Sequence, residues 1–273
     1  MQTVEANGAR IPAIGLGTMT LKEAAGVETI ARALRLGYRH LDTAQAYGNE
    51  REVGEALRAS GVRREDVFIT TKIFRDRLMP GEFERAVDES LDRLQLPFVD
   101  LVLIHWPNPE VPLPGTIASL CSVKRAGKTK HIGVSNFTVA LIEQAVRIAD
   151  EPIATNQIEV HPFIDQDKVI GVCRQHGMAV TAYCPIARGH VPGNETLGRI
   201  GKAHGKTPAQ VSLRYLVQQG IIVIPRTSKT ERLKENFEIF DFALTPAEMA
   251  EIGKLKRPDG RVVSPAFAPQ WDV

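Results

Sequence analysis

The chain has little of what marks most functional classes. It carries three cysteines in 273 residues, Cys121, Cys173 and Cys184. They are odd in number and sit in no C-x-x-C or His-paired spacing. That argues against a disulfide framework or a zinc site, and for reduced thiols in a cytoplasmic protein that needs no metal. Neither sign of charge is in excess: 34 basic and 32 acidic residues leave a net charge of +2. The basic residues are scattered, so nothing points to nucleic acid or another polyanion. No apolar run approaches the ~20 residues that span a bilayer, and the N-terminus lacks a signal-peptide pattern. Also absent is G-x-G-x-x-G, the dinucleotide fingerprint of a Rossmann unit. No low-complexity linker or compositional break divides the sequence.

What is present is alternation. At 43% hydrophobic, a chain of this length buries a large core, as two small domains or one α/β barrel. Short apolar runs, IGLGT, RHLDTA, VFITTKI, VDLVLIHW, KHIGVSN, ATNQIEV, AVTAYCP and IIVIPRT, alternate with amphipathic helical segments. The helices carry start and stop signals: Asn49 before EREVGEALRAS, Thr207-Pro208 before a helix ending at Gly220, and a capping box at Thr245-Pro246-Ala247-Glu248. Asn7-Gly8 predicts a tight hairpin at the N-terminus. The proline-rich segment RPDGRVVSPAFAPQWDV predicts a loop over the barrel mouth. These signals predict one domain, residues 1–273, folded as a (β/α)8 TIM barrel with an N-terminal β-hairpin capping its floor.

Asp42, Tyr47, Lys72 and His105 each lie at or just beyond the end of a buried-strand run, the edge where parallel barrels put chemistry. Singly, each has an ordinary explanation. Tyr47 suits a strand-end loop, Lys72 can snorkel to water, His105 can be a satisfied core histidine, and Ser135-Asn136 can cap the next helix. Together they suggest one site. A phenol is a poor acid near neutrality, and a neighbouring ammonium lowers its pKa by favouring the phenolate. Lys72 can supply that charge, Asp42 can hold Lys72 by an ion pair, and His105 can donate to a substrate oxygen. This set would protonate a carbonyl oxygen as hydride arrives at carbon.

GLGTM, LDTAQAYGNE, TTKIF, LIHWP, GVSNF, NQIE, AYCPI and IPRTSKTERLKENF, in that order, resemble the signature segments of the aldo-keto reductases. Within that family the RVVSP…PQWD tail is most similar to bacterial 2,5-diketo-D-gluconate reductases. The resemblance implies Tyr47 as proton donor, Lys72 and Asp42 as its electrostatic partners, and His105 orienting the carbonyl. It implies NADPH (NADP+) as cofactor, with Ser135, Asn136 and Gln157 on the nicotinamide carboxamide and Tyr183 stacked on the ring. Gly17, Thr18, Asp42, Cys184, Ile186, Arg188 and Pro225 would line the same cleft. Arg226, Thr227, Ser228 and Arg232 would surround the 2′-phosphate, with Glu235 and Asn236 near the adenine. Arginine's planar fork suits a phosphate, so NADPH should be preferred over NADH. Met19, Tyr47, Phe74, His105 and Trp106 would line the substrate pocket. The family commonly has tryptophan where Met19 and Phe74 stand here, which implies a less rigid slot suited to small, polar dicarbonyls. A small-molecule carbonyl substrate, no nucleic-acid or membrane partner and a monomeric state are expected. Two other functions fit parts of the pattern: a Schiff-base lyase using Lys72, and a non-catalytic NADPH-binding regulatory protein.

Overall fold

The computed structural model describes residues 2–272; Met1 and Val273, the last residue of the expected tail, lie outside them. The strands are β1 (Thr3–Ala6), β2 (Ala9–Pro12), β3 (Leu16–Gly17), β4 (His40–Asp42), β5 (Phe68–Ile73), β6 (Val99–Ile104), β7 (Thr129–Ser135), β8 (Ile153–Glu159), β9 (Ala179–Tyr183) and β10 (Ile222–Val223). The helices are α1 (Glu23–Leu36), α2 (Glu50–Ser60), α3 (Glu82–Leu94), α4 (Leu113–Arg125), α5 (Val139–Ile148), α6 (Asp167–Gln175), α7 (Glu195–His204), α8 (Pro208–Gln218), α9 (Thr230–Phe237) and α10 (Pro246–Gly253).

Strands β3 to β10 form one eight-stranded parallel sheet in sequential order. Parallel bridges from Ile14 to Val223 and from Gly17 to Arg226 join its two edges, closing the (β/α)8 barrel expected from the alternation. All eight apolar runs are strands. The two at this seam are only two residues long, because isolated bridges rather than a continuous ladder connect them. Every residue of β6 and β8 is buried, as expected where helices cover one face and barrel packing the other. The helices bury one stripe each: α3 puts Phe83, Ala86, Val87, Ser90, Leu91 and Leu94 inside, a spacing of three and four. Gly54 lets α2 approach α3 closely, since a Cβ there would lie 2.1 Å from the Leu94 carbonyl oxygen.

The capping boxes at Thr207 and Thr245 form, each with proline at the first helical turn. Two expected caps do not. Asn49 precedes α2 without capping it; its amide instead donates to the Thr18 and Leu21 carbonyls and accepts from Thr43 Oγ1, at 2.8, 2.9 and 2.8 Å. Ser135-Asn136 do not cap α5 either. Thr138 does, accepting from Leu141 N, because the chain turns before reaching the helix.

β1 and β2 form the expected hairpin, with φ of 46° at Asn7 and 82° at Gly8, as a primed turn requires. Its Ala6, Ala9 and Ile11 pack with Leu101, Leu103, Ala154, Ala179 and Ile222 from the strands, plugging the floor. Asn7 anchors it, donating to the carbonyls of Ile153 at 2.7 Å and His176 at 3.1 Å, both at the N-terminal side of the sheet. Asn7→Ala removes both bonds and places a non-glycine residue without an amide at positive φ. The expected loss is ~1–3 kcal/mol in denaturant unfolding; an unchanged midpoint and slope would refute the anchoring role.

Candidate active site

The opposite, C-terminal end of the barrel gathers the chemistry. Lys72, next to last in β5, is fully buried. Its Nζ donates to Asp42 Oδ1 at 2.5 Å, to the Thr43 carbonyl at 2.9 Å and to the Tyr47 hydroxyl at 3.4 Å. Asp42 ends β4, and its second oxygen accepts from Gln157 Nε2 of β8 at 2.7 Å. Tyr47 is carried by a single 3-10 turn, Gln45–Tyr47, closed by Gly48 at φ 62°. His105 follows β6, and its ring meets Tyr47 edge-on at 5.7 Å between centroids. The structure therefore brings all four expected residues together.

Their electrostatics are set by burial and by one another. Burial disfavours the Lys72 ammonium, but Asp42 and then Tyr47 outweigh it and hold its pKa above 10.5. For Tyr47 the balance runs the other way from the sequence expectation. Burial raises the phenol pKa above 10.0, and the opposing pull of Lys72 does not overcome it. The phenol thus stays protonated at neutral pH. Burial, aided by Lys72, pushes His105 well below 6.5, so its imidazole is neutral. His105 Nδ1 is buried without a protein partner.

Beside this centre stand the residues expected to face a nicotinamide. Ser135 Oγ donates to the Gln157 carbonyl at 2.8 Å, Asn136 Nδ2 donates to the His105 carbonyl at 3.0 Å, and Tyr183 donates to Asn136 Oδ1 at 2.7 Å. Asn136, Cys184, Ala187 and Arg188 all have φ between 48° and 61°. Such non-glycine conformations cost of order 1–3 kcal/mol each and collect where a site needs a fixed backbone. Gln157 was expected to face the carboxamide; its amide also orients Asp42, a role the sequence did not suggest.

The segment after β10 lies alongside Gly17 and Thr18 at the barrel seam. A Cβ at Gly17 would come within 2.9 Å of the Ile224 carbonyl, so only glycine fits the strand next to Pro225. Arg226 Nε donates to the Met19 carbonyl at 3.1 Å, and its guanidinium also bonds Thr20 Oγ1. Thr227 Oγ1 accepts from Lys229 N at 3.0 Å, shaping the turn into α9. Ser228 and Arg232 are exposed, and among the described residues no side chain pairs with Arg232. Glu235 accepts from Thr207 Oγ1 at 2.6 Å, so its carboxylate also steadies the start of α8. Asn236 is buried, whereas Ile186 is half-buried and Arg188 exposed on the loop after β9. Arg226 and Arg232, with the Thr227 and Ser228 hydroxyls, are the donor types that suit a phosphate dianion, although the Arg226 guanidinium is bonded to Met19 and Thr20.

The barrel mouth around Phe74 and Trp106, expected to face substrate, is more enclosed than Met19 and Phe74 imply. Met19 is exposed, but the tail brings Phe267 edge-on against Phe74 and Trp106, at 5.8 and 5.4 Å, and Trp271 against Trp106 at 6.1 Å. Phe74 in turn meets His105 at 5.6 Å. Glu159, fully buried at the end of β8, holds the tail by accepting from Val262 N at 2.6 Å and Val263 N at 2.8 Å. The tail covers the mouth as expected, but Phe267, Trp271 and Glu159 were not singled out. The aromatics within a proline-rich segment were the available signal.

The Aldo/keto reductase family profile matches residues 13–257. The chain is 42% identical over 266 residues to "Methylglyoxal reductase DkgB" of Escherichia coli O157:H7, covering 96% of this chain and 99% of that protein. It is 40% identical over 246 residues to an aldo-keto reductase of Mycolicibacterium vanbaalenii, covering 90% and 88%. A crystal structure assigned as a 2,5-diketo-D-gluconic acid reductase B superposes with a TM-score of 0.98 at 51% identity, covering 100% of this chain and 98% of that one. An aldo-keto reductase of Bombyx mori in complex with NADP superposes at 0.87 with 33% identity, covering 93% and 92%. With the tetrad at the barrel mouth and these likenesses along nearly its whole length, the chain belongs to the aldo/keto reductase family.

Proposed function

We propose that this NADPH-dependent carbonyl reductase acts on small dicarbonyls and keto-sugar acids, with Tyr47 as the proton donor. The observation that carries the assignment of roles is the fully buried Lys72 ammonium, 2.5 Å from Asp42 and 3.4 Å from the Tyr47 hydroxyl. When bound, NADPH supplies a hydride to the carbonyl carbon. Tyr47 gives its proton to the carbonyl oxygen as negative charge develops there, and Lys72 steadies the phenolate left behind. Asp42 keeps Lys72 charged and aimed, while Gln157 and the Thr43 carbonyl fix that pair in place. The neutral His105 imidazole orients the carbonyl oxygen beside Tyr47. Ser135, Asn136, Gln157 and Tyr183 would hold the nicotinamide end; Arg226, Thr227, Ser228 and Arg232 would hold the 2′-phosphate.

The tail aromatics, with Trp106, make a narrow slot that suits a small substrate. The names of the relatives in Escherichia coli and of the superposed crystal structure point the same way, to methylglyoxal and 2,5-diketo-D-gluconic acid. A Schiff base at Lys72 is disfavoured because an ammonium held above its ordinary pKa has no lone pair to attack a carbonyl. The balanced, scattered charge supports a protein without a nucleic-acid partner, the unpaired cysteines support a cytoplasmic location, and the family resemblance supports a monomer. Among the described residues no helix is long and apolar enough to cross a membrane.

NADPH consumption with methylglyoxal and 2,5-diketo-D-gluconate should be lost in Tyr47→Phe while NADPH binding stays near wild type. Retained turnover would remove Tyr47 from the proton-donor role. The pH profile has a fixed sign. A donor whose pKa is raised stays protonated until pH climbs through that raised value, and a histidine whose pKa is lowered stays neutral down through its ordinary value. Reduction by the cofactor-saturated enzyme should therefore have its alkaline midpoint above pH 10.0 and its acid midpoint below pH 6.5. An alkaline limb near neutrality would contradict the burial of the phenol. Arg232→Ala should weaken NADPH far more than NADH, by ~1.5–3 kcal/mol for one charge-assisted hydrogen bond. Equal weakening of both cofactors would place Arg232 outside the phosphate site.

A further inference from the structure

Two arginines flank the aromatic cluster at the barrel mouth, and the mechanism uses neither. Arg261 lies with its guanidinium 3.8 Å from the centre of the Trp271 ring, and Arg75 lies 5.1 Å from that of Phe267. Trp271 and Phe267 both pack on Trp106, the residue after His105, so both cations lie against the one aromatic cluster at the mouth. Among the described residues neither arginine is within ion-pair distance of a carboxylate. Arg75 bonds the Asn108 side chain at 2.8 Å, yet its Nε is buried without a partner; Arg261 Nη1 is likewise buried and unpartnered. A buried guanidinium donor left unpaired is costly, and more so when the charge has no counter-ion.

The carboxylates that act on Arg261 from a distance are already committed to backbone. Glu159 is taken by the N–H groups of Val262 and Val263 and by His161, and Asp272 by the Val139 N–H at 2.9 Å. The Glu159 clamp also fixes the backbone next to Arg261, so the guanidinium is presented by a tethered segment rather than a free tail. A guanidinium carries its N–H groups in its own plane, where a carboxylate can meet two of them at once, and Arg261 Nη1 has no protein acceptor. Burial lowers the Arg261 pKa below that of a free guanidinium, with Glu159 opposing that shift, in keeping with a cation short of solvent.

We propose that Arg261 forms an anion subsite at the barrel mouth and receives the carboxylate of an anionic carbonyl substrate, with Arg75 adding positive potential from across the aromatic cluster. This rests on the carbonyl-reductase reading and narrows it: keto acids and aldehyde acids are favoured over neutral carbonyls of equal size. The aldehyde or ketone end enters between Tyr47 and His105, and the carboxylate stays at the rim. A planar fork recognises a carboxylate through paired hydrogen bonds, which a neutral ester or amide cannot match.

The test compares 4-oxobutanoate with its methyl ester, using wild-type enzyme and Arg261→Gln under saturating NADPH. The wild type should favour the acid in kcat/KM by about tenfold or more, the worth of one charge-assisted hydrogen bond, and Arg261→Gln should bring the ratio toward one. A second readout is independent of turnover. The chain has two tryptophans, Trp106 and Trp271, and both lie in this cluster, so intrinsic fluorescence reports on it directly. Succinate titrated into the NADP+-loaded enzyme should give a saturable change that Arg261→Gln abolishes. No acid preference and no saturable change in the wild type would overturn the subsite while turnover of the ester left the reductase reading intact. Equal losses on acid and ester in Arg261→Gln would overturn it in favour of a purely structural tail contact. Loss of NADPH affinity with the acid preference retained would overturn it in favour of a cofactor phosphate contact. A succinate response that depends on Arg261, without reduction of any carbonyl, would support the subsite and refute the reductase reading.

Discussion

The ammonium of Lys72 has no solvent exposure, and much of the barrel mouth follows from that constraint. A buried charge without a partner costs several kcal/mol, and removing one member of a buried pair typically costs ~3–5 kcal/mol. Asp42 must therefore end β4 within reach of β5, the Thr43 carbonyl must turn inward, and Gln157 must arrive from β8 to occupy the second carboxylate oxygen. Three strands and one loop are placed by a single charge. The same charge sits 3.4 Å from the Tyr47 hydroxyl, where the proposed mechanism uses it.

The proposed cofactor and substrate sides of this centre are built differently. The cofactor side relies on fixed backbone, with Asn136, Cys184, Ala187 and Arg188 held at positive φ and the Tyr183, Asn136 and His105 groups bonded in series. The substrate side relies on a segment without regular structure. Its order comes from a carboxylate at the end of β8, from aromatic edges meeting Phe74 and Trp106, and from close approach: a Cβ at Gly260 would lie 1.8 Å from the Phe163 carbonyl oxygen. Loop walls of this kind can change without disturbing the barrel, which is how one scaffold serves many carbonyl substrates.

The barrel was legible because its strands read as short apolar runs, its hairpin turn as Asn-Gly and two of its helix starts as Thr-Pro, features fixed by local chemistry. The tetrad was legible for the same reason, since strand ends are visible in sequence. Three things were not. The sign of the Tyr47 shift depends on how deeply the hydroxyl is buried, which no spacing reveals, so the expected lowering by Lys72 proved smaller than the effect of burial. Asn49 and Ser135-Asn136 carry helix-cap residue types, yet their side chains serve loop and strand-end contacts decided by tertiary neighbours. The roles of Glu159, Phe267 and Trp271 depend on the tail folding back across more than a hundred residues of chain, as the Glu159 bonds to Val262 and Val263 require.

The central claim is that Tyr47 works through the buried Asp42–Lys72 pair. Its most direct test is a double-mutant cycle on kcat for methylglyoxal reduction at saturating NADPH, using Asp42→Asn, Lys72→Met and the two combined. If Asp42 acts only by holding Lys72 charged and aimed, the double variant loses about as much as Lys72→Met alone, and the losses are strongly non-additive. Additive losses would mean that the two residues act independently, and would contradict the account.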